Sequence, residues 1–270
     1  MLTLPEHIDG LLSLQRADAS IRCCGLQLSA DGVVLERKVY RASEDRFRCI
    51  GMARVDDLIH RKRLSVYEYE STTSLDLKAA KKINFHFRDS LGFLDDVDEM
   101  MPEMPFVNKG ELLATRDMLS DLRDIRCASL GIERSLTGIE KVTFYFFPVE
   151  RTGGFDRRCT TSDSVAKQFL EGKNLYVPRF LCDDNRSTRI FSLTFTSLGF
   201  LRYKIYCLFD CARFNSLVRG ARLSDQILRD VGAAPILLSF PVDDGRTNGC
   251  TMYFTPLPGP RGIWPMPMPN

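Results

Sequence analysis

Histidine is scarce in this chain of 270 residues, which carries only His7, His60 and His86. Three scattered imidazoles do not suit a multi-histidine metal centre. Tryptophan is scarcer still, with Trp264 alone, inside a proline- and methionine-rich C-terminal stretch. Neither sign of charge dominates: 37 Lys+Arg face 35 Asp+Glu, for a formal net charge of +2. That balance removes the electrostatic reason to expect nucleic acid or a membrane surface as partner. No apolar run reaches the roughly 18 residues of a spanning helix. The first residues lack the charged and apolar regions of a secretory signal, so a cytoplasmic location is expected. Cysteine is plentiful, at nine, but the number is odd. Cys23 and Cys24 are adjacent, and Cys207 and Cys211 have no histidine nearby, so no zinc spacing results. The thiols are read as reduced and mostly buried.

What the sequence does have is strand alternation. Residues 191–209 read as two strands joined at Ser197-Leu198-Gly199. A period of two puts Phe191, Leu193 and Phe195 on one face and Ser192, Thr194 and Thr196 on the other. On the second strand Tyr203, Ile205, Cys207 and Phe209 oppose Arg202, Lys204 and Tyr206. One face wants a hydrophobic layer, and the other presents hydroxyls, cations and an aromatic ring.

The same unit recurs along the chain. A helix over 1–18 precedes strands over 20–28 and 33–41, joined by the turn signal Ala30-Asp31-Gly32. Helical patterns follow over 54–61, 79–94 and 109–122, with a short strand at 65–70 and a proline-broken loop at 100–106. Strands over 125–135 and 139–149 flank Leu136-Thr137-Gly138. A helix over 161–171 opens at Thr161 or Ser162 as N-cap. A helix over 214–231 precedes the last hairpin, 236–242 and 249–255, with its turn at Asp243-Asp244-Gly245. The tail from 257 to 270 is an extended arm that Trp264 can anchor.

Hairpin followed by helix thus appears four times, with room for one hidden pair, in a single domain over 1–270. Two layouts fit. In an α+β antiparallel barrel of ββα units the helices ring the outside and no sheet edge remains. In an open antiparallel sheet with helices on one face, the polar face meets water. The barrel is the preferred expectation, with the polar, aromatic face lining a ligand-holding lumen.

Three stretches add a resemblance. They are Asp18 to Cys23 with Leu35 to Lys38, Ser129 to Ser135 with Lys141 to Tyr145, and Tyr203 to Tyr206 with Thr251 to Thr255. In the order of its units and in these short matches the chain resembles the prenyltransferase barrel, or ABBA fold, and within it the cyanobactin peptide prenyltransferases. The resemblance implies transfer of a dimethylallyl or geranyl group from its diphosphate to a side chain of a cyclic or linear peptide. It implies no tightly bound cofactor, with Mg²⁺ optional beside the diphosphate. No DDxxD motif occurs; Asp95 and Asp96 are followed by Val97 and Asp98.

Such a reaction needs cations for the leaving diphosphate, and Arg37 or Lys38, Lys141 or Thr143, Arg202, Lys204 and Tyr206 offer them with hydroxyls. A one-residue slip exchanges the faces of Arg37 and Lys38, so both stand as alternatives. Each is equally readable as a solvated surface cation. The allylic cation needs aromatic shielding, for which Tyr145, Tyr206 and Tyr253 sit at matching positions of three second strands. Plain strand propensity explains the same tyrosines. The acceptor must lose a proton. The family's acidic residue on the first strand lines up with Arg22, which does not deprotonate. Glu133 is the leading carboxylate, with a structural ion pair as its competing role; Glu36 and Asp18 rank behind it. A small-molecule aromatic prenyltransferase and a non-catalytic ligand-binding barrel are the competing functions.

Overall fold

The structure is a computed structural model that describes residues 2–41, 52–62, 65–73, 80–87, 93–122, 124–135, 138–149, 161–182, 186–242 and 249–256. Helix α1 (Leu4–Ala17) starts beside Thr3, whose N–H donates to Glu6 Oε2 at 2.5 Å. Strands β1 (Ile21–Leu28) and β2 (Val34–Arg41) follow. Their turn needs Gly32, with φ of 81°, a left-handed conformation that glycine adopts freely. Helix α2 (Ala53–Lys62), strands β3 (Ser65–Thr73) and β4 (Ala80–Phe87), and helices α3 (Phe93–Met100) and α4 (Lys109–Leu122) make the next part. Then come β5 (Asp124–Ser135), β6 (Gly138–Val149), the two-residue β7 (Thr161–Ser162) and α5 (Asp163–Gly172). Strands β8 (Arg186–Thr196) and β9 (Leu201–Leu208), helices α6 (Cys211–Leu217) and α7 (Asp225–Asp230), and strands β10 (Ala233–Val242) and β11 (Cys250–Pro256) complete the chain.

Two expectations are corrected here. Residues 80–87 form strand β4, where the periodicity predicted a helix over 79–94; only 93–100 of that neighbourhood is helical. The segment alternates Ile83, Phe85 and Phe87 with Lys82, Asn84 and His86, a period-two pattern that suits a place between two strands. β4 pairs with both β3 and β5, so the hidden hairpin is β3–β4. The helix expected over 214–231 is two helices. Asp210 caps the first, accepting from the backbone of Ala212 and Arg213, and Ser224 caps the second. Between them the chain meets the β1–β2 turn, where Arg219 N–H donates to the Ala30 carbonyl at 2.7 Å. A β-carbon on Gly220 would lie 1.6 Å from the Asp31 carbonyl oxygen, so no side chain fits that crossing. The turn signals at 136–137 and 243–245 and the arm over 257–270, with Trp264, lie outside the described residues.

The protein is mixed α/β, built on a curled antiparallel sheet. Its strand order is β6-β5-β4-β3-β2-β1-β11-β10-β9-β8-β7, and β6 also pairs with β8. That last pairing joins Lys141 to Thr196 and Phe146 to Phe191, so the hydrogen-bonded neighbours form a circuit. The β8–β9 turn adds to it, since Ser197 N–H donates to the Glu140 carbonyl at 2.9 Å. The registers Ser135↔Gly138, Val242↔Tyr203 and Leu28↔Cys250 bring the hairpin turns to one end of the sheet. The helical connections return at the other.

Alternation divides the side chains as the 191–209 stretch predicts. Phe191, Leu193, Phe195, Ile205 and Cys207 join the main core beneath the helices, with Ile8, Leu11 and Leu12 from α1 and Phe169 from α5. Phe169 meets Phe191 edge-on with ring centroids 5.1 Å apart. A separate, smaller cluster forms on the inner face: Cys23, Tyr145, Phe147, Ile190, Tyr206, Leu237 and Tyr253, with Tyr40 packed against it. Two faces of one sheet thus bury two different sets of residues, and only the helix-covered set is predominantly aliphatic and phenylalanine. No described helix is long and apolar enough to cross a membrane.

Candidate functional site

The inner face carries a belt of four tyrosines. Tyr145 on β6, Tyr206 on β9, Tyr253 on β11 and Tyr40 on β2 occupy alternate strands of the circuit. Tyr145 and Tyr206 meet edge-on with centroids 6.1 Å apart, and Tyr206 stacks on Tyr253 at 6.2 Å. Tyr253 and Tyr40 are 5.8 Å apart, tilted. The intervening strands supply small residues at the paired positions: Ser192 opposite Tyr145, Ser239 opposite Tyr206, and Gly25 opposite Tyr253. Large rings over small neighbours let the belt close up without strain. Ser239 Oγ and the Tyr253 hydroxyl lie 3.4 Å apart. Burial pushes the phenols of Tyr40 and Tyr206 well up, and that of Tyr145 to about 12, so these three are neutral at physiological pH.

Along the strands, one side of the belt is apolar. Cys23, Phe147, Ile190 and Leu237 pack there, towards the helical connections. The other side, towards the hairpin turns, is polar and charged. Thr143 and Thr194 are buried with their hydroxyls 3.1 Å apart. Lys141 Nζ donates to Glu133 Oε2 at 2.8 Å across the β5–β6 pair. Lys38 Nζ lies 3.0 Å from Glu36 Oε2 on β2. Burial pulls the Lys38 pKa down, but Glu36, Tyr253 and Glu133 outweigh it and the net shift is upward, so the ammonium stays charged. Burial raises the Tyr145 phenol most, while the charges of Lys141 and Lys38 lower it and that of Glu133 raises it.

The open alternatives among the expected site residues resolve by face. Lys38 faces inward beside Gly25. Arg37 faces the helices, where its Nη2 donates to His7 Nδ1 at 2.6 Å. Lys141 and Thr143 are both inward, two residues apart on β6, so the structure places both on the inner face rather than one or the other. Lys204 is half-buried opposite Ser192, while Arg202 is exposed near the turn. Glu133 is in an ion pair, the role weighed against that of base. Glu36 joins it inside. Arg22 stands at the β1–β2 irregularity between Ile21 and Cys23, and its side chain lies outside the described residues. Asp18 is at the end of α1, where it accepts from Ser20 N–H at 2.9 Å.

Sequence reasoning missed Tyr40 and the small residues that seat the belt. Tyr40 shares the parity of Lys38, so the choice of Lys38 over Arg37 would have brought it inside. Among the described residues no group of three or more His, Cys, Asp or Glu side chains is placed to hold a metal ion. The sequence matches no protein-family model and no curated protein.

Proposed function

We propose that the curled sheet is a prenyltransferase barrel and that its interior transfers a dimethylallyl or geranyl group from the diphosphate to a peptide side chain. One observation carries this reading: four tyrosines line one interior surface in ring contact with one another, with Lys38, Lys141 and Lys204 grouped on a single side of them. An allylic diphosphate has the matching polarity, an apolar chain joined to a compact anion. Its diphosphate meets the lysines and threonine hydroxyls on the turn side. Its prenyl chain lies against the tyrosines, whose faces stabilise the developing cation by roughly 0.5–2 kcal/mol each once water is excluded. The circuit of strand pairings supports the closed form of the sheet, and the turn end is the side from which a peptide reaches the lysines.

The test is direct. Purified protein is incubated with dimethylallyl and geranyl diphosphate in competition, against a panel of cyclic and linear peptides, and products are weighed by mass spectrometry. A mass increase of one prenyl unit on a peptide is expected. No transfer to any peptide, with transfer to a small phenol or indole instead, moves the assignment to the small-molecule class.

A non-catalytic ligand-binding barrel is favoured by one specific feature, the pairing of Lys38 and Lys141 with carboxylates. Thermal-shift titration with a prenyl thiodiphosphate separates it from the enzyme: a scaffold without the anion site shows no stabilisation.

A further inference from the structure

The interior lysines and interior carboxylates are not independent. Lys141 holds Glu133 at 2.8 Å and Lys38 holds Glu36 at 3.0 Å, both pairs partly withdrawn from water. A carboxylate so held is a poor proton acceptor, because the adjacent ammonium favours its charged form. A lysine so held is a poor anion site for the reciprocal reason. The pairs therefore mask both functions at once, and by strand register both stand on the turn side of the tyrosine belt.

We propose that the donor diphosphate unmasks the base. This rests on the prenyl-transfer reading of the interior. The diphosphate is the stronger partner for an ammonium, carrying more charge than one carboxylate. On binding it draws Lys141 from Glu133 and Lys38 from Glu36. Glu133 then has an anion where its cation was, and its proton affinity rises. The allylic C–O bond breaks with its electron pair leaving on the diphosphate, now neutralised by the lysines. The acceptor's lone pair bonds to the allylic carbon, and the acceptor's proton passes to Glu133. Donor binds before acceptor in this scheme, since no base exists until the diphosphate is seated. The two carboxylates also tell against an anionic acceptor and favour a neutral one, which keeps the lone pair the step uses and releases its proton only as the new bond forms.

The scheme is tested by calorimetric titration of dimethylallyl thiodiphosphate, which binds without reacting, into wild type, Glu133→Gln, Glu36→Gln and Lys141→Met. If the carboxylates compete for the lysines, each glutamine variant binds the probe about tenfold more tightly than wild type, and Lys141→Met binds it about tenfold more weakly. Glu133→Asp, which keeps the pair, stays near wild type. Purely structural ion pairs give the opposite sign, with looser binding and a lower melting temperature in the glutamine variants. Wild type that binds the probe while neither glutamine variant binds it more tightly overturns the unmasking and leaves the donor site standing. No binding by wild type or any variant overturns the donor site itself. Glu36 lies on a different strand from Glu133, so misfolding of one variant leaves the other to decide.

Discussion

Tyr253 lies against Gly25: a β-carbon added to that glycine would meet the ring Cδ1 at 3.4 Å, with Lys38 Cβ and Tyr40 Cε2 both at 3.2 Å. The glycine has ordinary strand geometry, so its role is space rather than backbone freedom. It lets two tyrosines and an interior lysine converge over one strand. Gly25→Val is therefore an overpacking change, costing about 1–3 kcal/mol. Denaturant unfolding followed by circular dichroism is expected to report that loss. A neutral result would mean the belt has slack at β1.

The tyrosine belt makes a spectroscopic prediction. The phenols of Tyr40, Tyr145 and Tyr206 are raised by burial, Tyr145 to about 12. A phenol whose folded pKa exceeds its unfolded value, near 10, binds its proton more strongly in the native state. It contributes stability below pH 10 that is lost as pH rises towards 12. Absorbance titration near 295 nm is expected to show at least these tyrosines silent at pH 11 in folded protein and ionising only with unfolding.

Asp163 is fully buried and binds three ways. It accepts from Thr188 N–H at 3.1 Å and Oγ1 at 2.9 Å, and from Arg213 Nη2 at 2.9 Å. The cluster locks α5 and α6 to β8. Asp163→Asn keeps the shape but strands the guanidinium, for an expected loss of about 3–5 kcal/mol. The double variant Asp163→Asn, Arg213→Met is expected to recover part of it, because no uncompensated charge remains. Equilibrium unfolding of the three proteins measures the coupling.

Helix α1 is tied to β2 through His7 and Arg37. Burial, and then the Arg37 charge, lowers the His7 pKa, since the imidazole accepts from the guanidinium and must be neutral. A histidine with a depressed folded pKa contributes stability above its unfolded value, near 6.5, that is lost as pH falls. Melting temperature is expected to drop below about pH 6.5 in wild type and to be flatter there in His7→Gln. Equal slopes in both would remove His7 from the acid response.

Much of the fold is legible in the residues. Alternation in 191–209 assigns each side chain to the correct face, because a strand has only two faces and a soluble protein covers the apolar one. The hairpins at 20–41, 125–149 and 236–255 follow for the same reason. Strand β4 is not legible, because Lys81 and Lys82 followed by Ile83 fit a helical stripe as well as an alternation. Its neighbours β3 and β5 settle the choice. The break at Gly220 likewise depends on a turn nearly two hundred residues earlier in the chain.

In the candidate site, Lys141, Thr143, Tyr145, Lys204, Tyr206 and Tyr253 can be named from parity alone. The choice between Arg37 and Lys38 cannot, since a single-residue slip inverts it and only the β1–β2 register decides. Which residues share a face can be read along each strand, because side-chain direction there is a local, covalent property. Tertiary structure alone decided who meets whom: Tyr145 with Tyr206, Tyr253 with Gly25, Lys141 with Glu133. Those meetings depend on strand order and stagger, which arise from pairings between segments far apart in the chain and leave no mark in any one of them.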